Sequence, residues 1–176
     1  RGEYDEALRY YSGGLELRRK AADERSVALS LSNLGSLKLQ RGQLKDAMTF
    51  YREALEMRRS IDDKQGVADS YNTLGALCLE RGDIDDSTTL FEQALEIARD
   101  IGHRIMEASY LNNLGEAHLK SGRLEEAETC LEEAREVAEE SGDKRVLFDV
   151  QRNLGHIALE NGHHDLAEKR LREALE

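Results

Sequence analysis

The sequence repeats itself every forty residues. Leu31-Ser32-Asn33-Leu34-Gly35 returns as Tyr71-Asn72-Thr73-Leu74-Gly75, as Leu111-Asn112-Asn113-Leu114-Gly115 and as Gln151-Arg152-Asn153-Leu154-Gly155. A chain of this kind has no single core, because each unit buries its apolar face against the next. The columns of the repeat show what every unit needs. Gly2, Gly42, Gly82, Gly122 and Gly162 form one column, and Ala7, Ala47, Ser87, Ala127 and Ala167 form a second, all small. Tyr11, Tyr51, Phe91, Leu131 and Leu171 are large and apolar, and Gly14, Ala54, Ala94, Ala134 and Ala174 are small again.

Each unit reads as two helices. In the first, Val27, Leu31, Leu34, Leu37 and Leu39 fall at helical spacing, and the segment runs to Gly42. Gly42 stands where a left-handed residue closes a helix, a conformation that glycine adopts at little cost. The second helix follows over Leu44 to Ile61, with Leu44, Ala47, Tyr51, Ala54 and Leu55 on one stripe. A polar corner ends the unit, with Asp23, Asp63 and Asp143 as N-caps of the next helix and Gly102 and Gly142 as C-caps of the previous one. The expected order is an orphan second helix at 4–21, then helix pairs at 25–61, 65–101, 105–141 and 145–176. Residues 1–176 then form one array, and its start at Arg1, in the middle of a unit, reads as a piece of a longer protein. Both ends leave core-type surface uncovered, which makes end-to-end self-association, through Tyr4–Ala21 and the last helix, one reading of its function.

Composition sharpens the class. There is no Pro, as suits a chain of helices. Asp and Glu number 36 against 25 Lys and Arg, a net charge of −11, which argues against a nucleic-acid backbone as ligand. No apolar run approaches the roughly 20 residues of a membrane span, and no basic-then-apolar leader opens the chain. The expected location is cytoplasmic, without membrane contact. Cys78 and Cys130 lie in different repeats without CxxC or Cys/His spacing and read as buried thiols in a reducing compartment. His163-His164-Asp165 near Glu160 lacks the spacing of a metal motif, and His118, in an apolar column, reads as a satisfied core histidine. No phosphate loop or nucleophile elbow is found. The expectation is a non-enzyme with no catalytic residue, metal or cofactor.

Asn33-Leu34-Gly35, Gly42, Ala47, Tyr51 and Ala54, recurring in register along essentially the whole chain, resemble the tetratricopeptide repeat (TPR). The forty-residue period and the lack of a closing Pro are similar to the branch that includes kinesin light chain, the Leu-Gly-Asn-repeat adaptors and the helical sensor regions of some bacterial regulators. The resemblance implies an all-α, right-handed superhelical solenoid of antiparallel helix pairs. Its first helices would line a concave groove that binds peptides, with asparagines at these columns holding an extended peptide's backbone. The lysine, arginine and asparagine set with which some members clamp a C-terminal carboxylate is not present, since Ser32, Asn72, Asn112 and Arg152 fill the column of its first Lys.

On a helical wheel the apolar columns of the first helix gather on one side, Lys38 being the exception in a column shared with Cys78, His118 and Ala158. Gly35 and its copies sit on that buried side, where they let two helices approach. The opposite arc, about 100° wide, carries the candidate site: Asn33, Asn72, Asn112, Asn113, Glu116, Lys120, Arg152, Asn153 and His156. An Asn amide both donates and accepts, so it can pair with any bound main chain. Glu80, Glu160, Asp69 and Asp149 make acidic groups outnumber Lys120 and Arg152 there, which favours a peptide with basic residues. The Glu-rich second helix of Glu125–Glu140 reads as a solvated outer face. The leading expectation is a protein or peptide scaffold. A ligand-sensing module of a larger bacterial signalling protein and a self-associating structural repeat remain the alternatives.

Overall fold

A computed structural model describes residues 2–174, without the side chains of residues 2–5 and Ala7. Expectations for Tyr4, for Ala7 and for a last helix running to Glu176 lie outside the described residues. Within them the chain forms nine α-helices and no strand: α1 Gly2–Lys20, α2 Glu24–Gln40, α3 Leu44–Ser60, α4 Lys64–Arg81, α5 Ile84–Asp100, α6 Arg104–Lys120, α7 Leu124–Ser141, α8 Lys144–Glu160 and α9 His164–Glu173. This is an all-α helical-repeat solenoid. The chain divides into two compact units, residues 1–77 and 78–176, with the boundary inside α4.

The turns follow the columns. Gly42, Gly82, Gly122 and Gly162 all have φ between +68° and +86°, and Gly42 N–H returns to the Leu39 carbonyl at 2.8 Å. At the corner between repeats Gly102 and Gly142 are left-handed as well, but the same column holds Ala22 and Asp62, at φ 55° and 54°. The first two corners therefore place side chains in a conformation that L-residues resist. Asp23 and Asp143 cap α2 and α8 by accepting from the N–H groups of Ser26 and Val146 at 3.1 and 3.0 Å, and Asp63 accepts from Gly66 N–H at 3.1 Å. In the remaining copy His103 Nδ1 takes this role towards Met106 N–H.

The small and large columns explain the packing. Gly35 lies against the Tyr51 ring, so closely that a Cβ there would stand 3.0 Å from the ring carbon Cζ. At Gly115 the same atom would lie 2.7 Å from Leu131 Cγ, and at Gly155 3.1 Å from Leu171 Cγ. Missing side chains thus set the approach of the two helices in these three pairs, while Ala47, Ala54, Ala127 and Ala134 are fully buried beside them.

The joint between one pair and the next differs between the units. In residues 1–77, Arg18 donates to Ser30 Oγ at 3.0 Å and Arg58 to Ser70 Oγ at 2.5 Å, and each serine donates back to the carbonyl four residues earlier. In residues 78–176 the matching positions are Ala98 with Tyr110 and Ala138 with Val150, all of them buried.

Candidate functional site

The candidate arc lies on the first helices. In residues 78–176 it is carried by α6 and α8, whose faces adjoin. Asn153 donates from Nδ2 to Asn112 Oδ1 at 3.0 Å, and Asn112 Nδ2 lies 3.5 Å from Asn113 Oδ1. Asn112 and Asn153 are buried, at 7% and 8% exposure. Their amides thus tie α6 to α8. The half-buried Asn113 and Glu116 and the exposed Lys120, Arg152 and His156 stand on the same arc.

The open charges sit in pairs on their own helices. Lys120 Nζ is 3.1 Å from Glu116, and an Arg152 guanidinium nitrogen is 3.2 Å from Asp149. His156 Nε2 lies 3.9 Å from Glu160. The exposed Lys120–Glu116 and Arg152–Asp149 pairs contribute little to stability, about 0.3–0.5 kcal/mol each. In residues 1–77, Asn33 and Asn72 are half-buried on α2 and α4.

Several groups depart from their sequence-based reading. His118 is buried, but its Nδ1 has no hydrogen-bond partner, so it is not a satisfied core histidine. Burial first, then the nearby Arg123, holds its pKa below the ordinary value, against the pull of Glu126 and Glu92. Both cysteines are free thiols. Cys78 is buried, whereas Cys130 is only half-buried, and burial followed by Glu133 pushes its thiol pKa up. Cys78 Sγ and carboxylate oxygens of Asp83 and Asp86 come within 4.8 Å of one another at the turn after α4. Asp83 is already held by Arg81 at 2.6 Å. In the preceding repeat the ammonium of Lys38 fills the matching place, 3.2 Å from Gln43 and 3.3 Å from Asp46. His163, His164 and Asp165 are all exposed and join no such group among the described residues.

The Glu-rich α7 is more than a solvated face. Arg99 reaches Glu133, Arg104 reaches Glu140 at 2.5 Å, and Arg170 of α9 reaches Glu132 at 2.6 Å. Arg99 and Arg104 also share Glu107, at 3.1 and 2.7 Å. Glu107 is a buried carboxylate in the column of Val27 and Val67. Its departure from that column is visible in the sequence, but its two arginines, on different helices, are not.

The profile of the tetratricopeptide repeat matches residues 1–60 and 106–176, and a second profile of the same description matches residues 67–101. The chain belongs to the tetratricopeptide repeat family. No curated protein matches the sequence. Among solved structures the TPR chain is similar to BtubC (BKLC) from P. vanneervenii, with a TM-score of 0.85 and 23% identity over 98% of this chain and 72% of that one. It is also similar to the nearly identical TPR-like repeats of a putative kinesin light chain from Podosopora anserina (TM-score 0.75, 16% identity, 98% and 86% covered). The apo form of RapI superposes with a TM-score of 0.83 at 16% identity, over 99% of this chain and 48% of that one. At these identities the likeness is one of fold. TPR arrays are in general protein-interaction scaffolds, and the fold of this chain supports that role in general. Among its described residues no helix is long and apolar enough to cross a membrane.

Proposed function

We propose that residues 1–176 act as one TPR array in a cytoplasmic protein, taking an extended segment of a partner protein along the face of its first helices. The observation that carries this reading is the Asn153–Asn112 hydrogen bond, which holds the faces of α6 and α8 edge to edge. Beside it stand Asn113, Glu116, Lys120, Arg152 and His156. Amide and charged groups on adjoining faces suit a main chain with polar side chains. Glu80, Glu116, Asp149 and Glu160 outnumber Lys120 and Arg152 on this side, which favours a segment with basic residues.

The test uses the exposed groups, because replacing Asn112 would also cut a structural tie. A display library of extended peptides is selected on the wild-type chain. Selected peptides are then measured against Glu116→Ala/Arg152→Ala/His156→Ala by titration calorimetry, with circular dichroism confirming that helix content is unchanged. Loss of about tenfold or more in affinity, the equivalent of one charge-assisted contact, supports the groove. Equal binding by a folded variant refutes it.

A further inference from the structure

A second site lies between two second helices. A cavity of about 450 Å³ opens between α5 and α7, floored by Leu95, Leu111 and Leu114. Its rim carries Glu92, Glu96 and Asp100, which form no ion pair among the described residues. The Arg99 guanidinium at its edge is already shared by Glu107 and Glu133. The volume is that of a small-ligand pocket, with an apolar floor and a rim rich in carboxylates.

The chain itself shows what fits such a place. One repeat later, between α7 and α9, the same groove is filled by Arg170, which donates to Glu132 at 2.6 Å and to the Gln151 side-chain oxygen at 3.3 Å. Only a fifth of the Arg170 side chain remains exposed, at 20%. Moved back forty residues, Arg170 becomes Cys130, Glu132 becomes Glu92 and Gln151 becomes Leu111, and all three line the cavity. In the first unit the matching residue is Phe50, packed against the core of Leu15, Val27, Leu31, Leu34 and Ala54. Of the column Tyr10, Phe50, Leu90, Cys130 and Arg170, Cys130 has the shortest side chain. The α5–α7 groove therefore keeps the carboxylate of an arginine site without its arginine.

We propose that this cavity is a socket for an arginine side chain of a partner protein, with Glu92 receiving the guanidinium and Leu95, Leu111 and Leu114 receiving the methylenes. A planar guanidinium can pair with Glu92 through two parallel N–H donors while its stem covers apolar surface. Glu96 and Asp100 add attraction for a cation at the rim, which salt weakens. The socket is walled by α5 and α7 over two leucines of α6, and none of its lining residues belongs to the candidate arc of α6 and α8.

The experiment titrates the ¹⁵N-labelled chain with N-acetyl-arginine amide, and in parallel with its neutral citrulline isostere and with N-acetyl-lysine amide. Saturable shifts at Glu92, Leu111 and Cys130 with the arginine probe, at least several-fold weaker with the other two, support the socket. Glu92→Gln should lower the arginine affinity by roughly tenfold. Cys130→Arg, which supplies the side chain from within, should abolish binding and raise the thermal midpoint. The absence of saturable shifts, equal response to citrulline or lysine, or unchanged binding by Glu92→Gln overturns the proposal. Should Cys130→Arg fail to fold, the groove cannot seat a guanidinium as Arg170 does, and the proposal falls on that count too.

Discussion

Gly115→Ala tests the idea that absent side chains set the helix spacing. The added Cβ would stand 2.7 Å from Leu131 Cγ, 2.9 Å from Cδ2 and 3.4 Å from the Ala127 carbonyl oxygen. Carbon atoms rest about 3.5–4.0 Å apart, so Leu131 must retreat by about 1 Å. Leu131 is fully buried, and its backbone is fixed in α7. Overpacking of this kind costs about 1–3 kcal/mol. Exchanging glycine for alanine within a helix returns about 1 kcal/mol, so the net loss is expected to reach at most about 2 kcal/mol, the difference of those two terms. The decisive quantity is the coupling to Leu131→Ala, which alone should cost about 2–5 kcal/mol but makes room for the new methyl. Urea unfolding of wild type, both single variants and the double variant, followed by circular dichroism, should give the double variant about 1–3 kcal/mol more stability than the sum of the singles predicts. Additivity within about 0.5 kcal/mol would refute the reasoning.

Asn112→Ala leaves the buried Asn153 amide without its acceptor and should cost about 1–3 kcal/mol, while adding Asn153→Ala should cost less than a second such loss; thermal unfolding of the four proteins decides. Glu107→Val restores the residue of the first two repeats and leaves Arg99 with Glu133 and Arg104 with Glu140. Its effect should range from neutral to stabilising, whereas Arg99→Ala, which takes a cation from a buried carboxylate, should lower the urea midpoint. Ala22→Gly and Asp62→Gly relieve left-handed strain and should each stabilise by about 1 kcal/mol, seen as higher urea midpoints. For His118 the folded pKa lies below the ordinary 6.5, so the unfolded chain takes up its proton first. Stability should fall as pH drops below about 6.5 and level off below the folded pKa. His118→Phe should remove that part of the slope in urea unfolding measured across this range.

The helices and glycine turns were legible because they depend on neighbours a few residues apart and recur in every copy. Asp23, Asp63 and Asp143 cap as their spacing implied. What failed to show were relations between copies. Asn153 meets Asn112, a separation of 41 residues, so the contact joins two different columns. A period of forty aligns each column with itself and says nothing of how neighbouring helices are rotated. The left-handed Ala22 and Asp62 were hidden because the conformation persists while the glycine that signals it does not. His118 illustrates the reverse: an apolar column foretold its burial but not the partnerless Nδ1.

The two kinds of joint have a consequence for how such a protein can be recombined. Arg18 and Ser30, or Arg58 and Ser70, lie on opposite sides of a corner, as do Ala98 and Tyr110. Cutting the gene at the corners would transplant an arginine opposite a tyrosine, or a serine opposite an alanine. Cutting at the Gly turn inside a helix pair would move each joint intact. The heritable module in this chain is therefore offset by half a repeat from the visible one: a second helix together with the first helix that follows it. Chimaeras spliced at Gly42 or Gly122 should fold where those spliced at Ala22 or Gly102 lose a matched joint.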